Sequence, residues 1–115
     1  MGQLSTHVLD TARGRPAAGL TLTLWALGAE RRRLGTFATN ADGRTDAPLL
    51  TGDAFRAGVF ELEFAAGVYL RRHHPLTDPA FLDVIPVRFG VNDPDSRVHV
   101  PLLLSPYGYS TYRGS

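Results

Sequence analysis

Residues 20 to 27 read Leu20-Thr21-Leu22-Thr23-Leu24-Trp25-Ala26-Leu27. In an extended chain Leu20, Leu22, Leu24 and Ala26 fall on one face, and Thr21, Thr23 and Trp25 on the other. This two-residue period, enriched in Thr and Trp, predicts a half-buried strand. The same pattern recurs outward from it. Phe60, Leu62 and Phe64 alternate with Glu61 and Glu63, and Val98, Val100, Leu102 and Leu104 alternate with Arg97, His99, Leu103 and Ser105. Further strands are predicted at residues 4–9, 34–39, 84–91 and 107–112, with Pro86 marking 84–91 as an edge or bulged strand. Turn signals separate them: Arg13-Gly14-Arg15-Pro16, Asn40-Ala41-Asp42-Gly43, Asn92-Asp93-Pro94-Asp95 and Ser105-Pro106-Tyr107-Gly108. Residues 65–72 break the alternation and predict a short helix stopped by Pro75. Seven or eight short strands and one helix predict a mainly all-β protein, an antiparallel sandwich.

The composition agrees. A chain of 115 residues suits a single domain, 1–115, large enough to bury its own core. Twelve basic residues balance eleven acidic ones, which excludes the clustered basic excess needed to neutralise nucleic-acid phosphates. Every basic residue is Arg, so Lys-dependent chemistry such as Schiff-base formation is excluded. With no Cys, disulfides, thiol nucleophiles and Cys-zinc sites are excluded together. The opening residues show neither a basic nor an apolar signal region, and no apolar run approaches a membrane span. A cytoplasmic protein that binds neither membrane nor nucleic acid is expected. Arg31-Arg32-Arg33 reads as a solvated run, with a phosphate or acid receptor as the alternative.

Several polar residues could carry chemistry. His7 and His99 lie on predicted strands, on the face away from Val8, Val98 and Val100. By alternation alone they are surface residues. The alternative is that another subunit buries this face, where an imidazole serves as acid or base near neutral pH. Arg44 follows a turn ending in Gly43 and is either one more exposed Arg or a fork for a planar amide, imide or carboxylate. Tyr107 to Ser115 is rich in hydrogen-bonding groups, and a docked end would set Ser115 and its carboxylate in a pocket. His73-His74 is explained by the dipole at a helix C-terminus, and without a His-Glu-x-x-His pattern no metal site is expected. No phosphate loop, nucleotide fingerprint or Gly-x-Ser-x-Gly elbow is present.

Three stretches together resemble a known family. Leu4-Ser5-Thr6-His7-Val8-Leu9-Asp10-Thr11 with Gly14-Arg15-Pro16-Ala17 resembles the opening motif of the transthyretin-like 5-hydroxyisourate hydrolases. Asn40-Ala41-Asp42-Gly43-Arg44 resembles their central motif, and His99 to Ser115, ending Tyr112-Arg113-Gly114-Ser115, their closing signature. Val98 departs from the aromatic residue that many relatives carry before the closing histidine, and residues 70–85 match only loosely.

The resemblance implies a transthyretin-like (prealbumin-like) sandwich of two four-stranded sheets with one short helix. It also implies a homotetramer, a dimer of dimers, with active sites in the channel between dimers. The implied reaction is hydrolysis of 5-hydroxyisourate to 2-oxo-4-hydroxy-4-carboxy-5-ureidoimidazoline, without metal or organic cofactor. His7, Arg44, His99 and Ser115 are implied as catalytic, and His7, Arg44, Tyr112, Arg113, Gly114 and Ser115 as substrate-binding. Side-chain chemistry makes either histidine a base for water and Arg44 a partner for developing negative charge. Ser115 would hold the ring or the water, and Tyr112, Arg113 and Gly114 would place the chain end. Two rival readings are a transthyretin-type carrier of a small ligand and a hydrolase of another cyclic ureide. By the resemblance, the carrier branch lacks the histidine pair and the Tyr-Arg-Gly-Ser ending.

Overall fold

The alternating stretches become strands in a computed structural model that describes residues 1–114. In chain order the strands are β1 (Gln3–Asp10), β2 (Arg15–Pro16), β3 (Thr21–Leu27), β4 (Arg31–Ala38), β5 (Leu50–Thr51), β6 (Gly58–Ala65), β7 (Val84–Val91), β8 (Arg97–Ser105) and β9 (Gly108–Thr111). Helix α1 (Ala66–His73) follows β6. It covers the predicted helix, displaced by one residue at each end.

One sheet runs β4-β3-β6-β7 and is antiparallel throughout. Leu22 and Leu24 of β3 pair with Phe64 and Leu62 of β6, and all four side chains are fully buried. β7 is an edge strand, which tolerates Pro86. The other sheet runs β2-β1-β8-β9, with β5 pairing the start of β1, so it has five strands where four were expected. The extra one is only two residues long. Leu4, Val8, Val98, Val100, Leu102 and Leu104 face inward from this sheet and meet the leucines and phenylalanines of the first. Each such buried aliphatic side chain contributes roughly 1.5–3 kcal/mol.

One expectation is corrected: the sandwich is not wholly antiparallel. β1 and β8 run parallel, with Ser5 opposite His99 and His7 opposite Pro101. No hairpin joins these strands, so no turn dictates their direction. The Arg31–Arg33 run is exposed, as the solvated reading expects, and Arg31 is in addition paired. Arg31 lies 3.8 Å over the Trp25 ring and donates to Glu61 at 3.0 Å and Glu63 at 2.9 Å. Arg32 and Arg33 are exposed.

Pro101 sets where β9 stops. Leu102 pairs with Thr111, and the register continues unshifted to His99 opposite Gly114, which sets Pro101 against Tyr112. Pro101 has no N–H to offer there, and the ladder lapses before resuming at Gly114. The Thr111 hydroxyl donates to the Pro101 carbonyl at 2.7 Å. Among the described residues no helix is long and apolar enough to cross a membrane.

Candidate active site

β1 and β8 each send alternate residues outward. From β1 these are Ser5, His7 and Leu9, and from β8 they are His99 and Leu103, all half-buried. The parallel register places Ser5 beside His99, so His7 lies one strand across and two residues along, about 8 Å away between Cα atoms. Two further segments flank this pair. Arg44 bridges His7 on the outer side of β1, and Gly114 bridges His99 on the outer side of β8. Arg44, His7, His99 and Gly114 therefore lie across four adjacent backbone segments.

The Asn40–Arg44 turn holds both Arg44 and His7. The Asn40 side-chain oxygen accepts from the N–H of Asp42 at 2.9 Å and of Arg44 at 3.2 Å. Gly43 docks the turn on β1, its carbonyl accepting from the Val8 N–H at 2.8 Å. It adopts φ +75°, and a Cβ there would lie 2.3 Å from the Val8 oxygen and 3.3 Å from the His7 ring. Only glycine meets both demands. His7 Nε2 donates to the Asp42 carbonyl at 2.8 Å. A carbonyl only accepts, so Nε2 carries the hydrogen and, in the neutral ring, Nδ1 presents the lone pair.

His99 is fixed from two sides. Its Nδ1 lies 2.8 Å from Ser5 Oγ. Its Cδ2 edge packs on Gly114, where an added Cβ would stand only 2.9 Å away. With Nδ1 held toward β1 and Cδ2 toward Gly114, the Nε2 end of the ring points away from the sheet. Burial holds the His99 imidazole below its ordinary value of 6.5, with smaller contributions from the Arg44 charge and from His7. His99 is therefore neutral at pH 7 and its lone pair is available as a base.

The structure brings together His7, Arg44, His99 and Gly114, and the register places Tyr112 on the same face. Arg113 alternates to the opposite side, where Nη2 reaches Ser96 Oγ at 3.5 Å. Ser115 lies outside the described residues.

Sequence reading missed Ser5, Asn40 and the Asp42 carbonyl. A hydroxyl two residues before a strand histidine was the only trace of Ser5. The helix-dipole account of His73-His74 was also incomplete. His74 Nε2 donates to buried Asp10 at 2.9 Å, while His73 Nδ1 accepts from Arg13 at 2.9 Å. The two rings diverge to different partners.

Comparison with known proteins shows the family. The model of the HIUase/Transthyretin family matches residues 4–114. The chain is similar to a 5-hydroxyisourate hydrolase of Mesorhizobium japonicum, 62% identical over 99% of this chain and 93% of that protein. It is similar to a crystal structure of (S)-allantoin synthase, 43% identical with a TM-score of 0.95 over 99% of this chain, though it spans only 44% of that longer chain. It is also similar to the structure of 5-hydroxyisourate hydrolase from Klebsiella pneumoniae, 33% identical with a TM-score of 0.82 over the whole of both chains. By sequence, fold and matched length, this chain belongs to the HIUase/Transthyretin family.

Proposed function

We infer that this chain hydrolyses 5-hydroxyisourate to 2-oxo-4-hydroxy-4-carboxy-5-ureidoimidazoline, its 115 residues working as one hydrolase domain. The observation that carries the mechanism is the convergence of His7, Arg44 and His99 from three distant segments onto one sheet face. Water approaches the ring carbonyl carbon and loses a proton to His99 Nε2 as its oxygen bonds to that carbon. The former carbonyl oxygen becomes an oxyanion, which the Arg44 guanidinium stabilises. Collapse breaks the ring carbon–nitrogen bond. The departing nitrogen takes the proton back from the His99 imidazolium, and the new acid ionises to the carboxylate product. One water is consumed and His99 returns to its neutral form. The Nδ1 lone pair of His7 accepts a substrate N–H. Tyr112 closes the site beside Gly114, Arg113 anchors that segment to Ser96, and Ser115 takes the part the family resemblance gives it, holding the ring or the water.

A homotetramer, a dimer of dimers, fits this face. Leu9 and Leu103 sit beside the histidines, and Arg44 is exposed in the single chain. Covering by a second copy would exclude water from the reacting centre and strengthen every charge interaction there. A cytoplasmic location accompanies the reading. The carrier alternative has only the fold in its favour and leaves the tautomer-fixed His7 without a task.

The test uses 5-hydroxyisourate generated in place by urate oxidase and follows its ultraviolet signal. Decay accelerates when the protein is added. An unchanged decay rate at micromolar protein rejects the hydrolase reading, and a fully active monomer in sedimentation rejects the shared site.

A further inference from the structure

We propose that Ser5 is a positioning residue for the hydrolysis, accepting the Nδ1 proton of His99 so that the lone pair of that ring is confined to the outward Nε2. The proposal rests on the functional reading above.

Ser5 and His99 are directly opposed in the parallel β1–β8 register, and their side chains are 2.8 Å apart across it. Both are half-buried, so the contact belongs to the sheet face and not to a free surface rotamer. Among the described residues Ser5 makes the hydrogen bond to this ring, and on the other edge Gly114 lies against Cδ2. Ser5 is therefore the group through which the protein can choose between the two neutral tautomers of His99.

Chemistry favours one choice. A proton acceptor at Nε2 needs its hydrogen on Nδ1 both before and after it takes the water proton. A hydroxyl oxygen has lone pairs to accept that hydrogen in both states, and the bond becomes charge-assisted once the ring is protonated. The arrangement complements His7, whose hydrogen is held on Nε2 by the Asp42 carbonyl. Two contacts, one to a side-chain hydroxyl and one to a backbone carbonyl, thus present two lone pairs from opposite ring nitrogens.

Among the described residues the charged and titratable groups facing His99 are Arg44 and His7, and Ser5 adds no charge. Its removal therefore tests the hydrogen bond without altering the local field. Ser5→Ala should lower kcat about tenfold with KM little changed, because the reactive tautomer is depleted while substrate contacts remain. The acid limb of the pH–rate profile should move to lower pH, since the imidazolium loses an acceptor. Ser5→Thr keeps the hydroxyl and should recover most of the rate.

Nitrogen-15 NMR of the His99 ring, without substrate, reads the tautomer directly. The parent should show hydrogen on Nδ1, and Ser5→Ala a mixture of both forms. Hydrogen on Nε2 in the parent, or a Ser5→Ala protein with unchanged tautomer, kcat and pH profile, overturns the proposal. If the parent shows no hydrolysis, the functional reading fails, while the NMR measurement still decides the Ser5–His99 linkage.

Discussion

Gly114 and His99 are joined at the backbone and in contact at the side chain. The Gly114 N–H donates to the His99 carbonyl at 2.7 Å, and a Cβ on Gly114 would stand 2.9 Å from His99 Cδ2. Gly114→Ala should therefore push the His99 ring out of line. A displacement approaching 1 Å lowers activity about 100-fold. Thermal unfolding should change little, because the residue lies outside the core. Full activity in Gly114→Ala would show that the ring does not need this support.

Substitution of the converging side chains should separate their roles. His99→Ala and Arg44→Ala should each lower kcat/KM about 100-fold or more, through lost proton transfer and lost oxyanion stabilisation. His7→Ala should act more on KM, because in the proposed mechanism its lone pair accepts from the substrate. Steady-state kinetics with freshly generated 5-hydroxyisourate measures all three. A His7→Ala effect confined to kcat would reassign the base to His7.

The pH dependence follows from His99. In the proposed mechanism its neutral form is the reactive one, and its folded-state value is depressed below the ordinary 6.5. Activity should hold from neutral pH down past 6.5 and fall only as pH drops through the depressed value. Between the two values the unfolded chain binds the extra proton, so stability from this group is present above 6.5 and lost as pH falls. NMR titration of His99 in Arg44→Ala should show its value moving up toward 6.5, because a repelling charge has gone. No upward movement would mean that Arg44 does not face the ring.

Asp10 anchors helix α1 to β1. Its side chain is fully buried and accepts from the Tyr69 hydroxyl at 2.8 Å, His74 Nε2 at 2.9 Å and the Arg13 N–H at 3.0 Å. Burial opposes its ionisation, but the bonds from His74, Tyr69 and Arg13 together outweigh that and hold it below the ordinary 3.8. Its contribution to stability is thus complete above 3.8 and lost as pH falls through the lower folded value. Asp10→Asn should destabilise the protein by about 3 kcal/mol at pH 7. The loss should shrink in acid, as denaturant titrations at two pH values would measure. An equal loss at both pH values would assign the effect to packing.

The strands and their inward faces were legible in residues such as Leu20–Leu27 and Val98–Leu104, because period-two alternation is a property of neighbouring residues. The outward aim of His7 and His99 was legible for the same reason, and the three motifs carried the family resemblance. The parallel direction of β1 and β8 was not legible, nor was Ser5 beside His99 or His74 on Asp10. Those contacts join residues 94 and 64 positions apart. No local pattern encodes such a pairing; it depends on which strands the two sheets set side by side and in what register. The chain chose its side-chain chemistry locally, and the tertiary structure chose the hydrogen-bond partner of each imidazole.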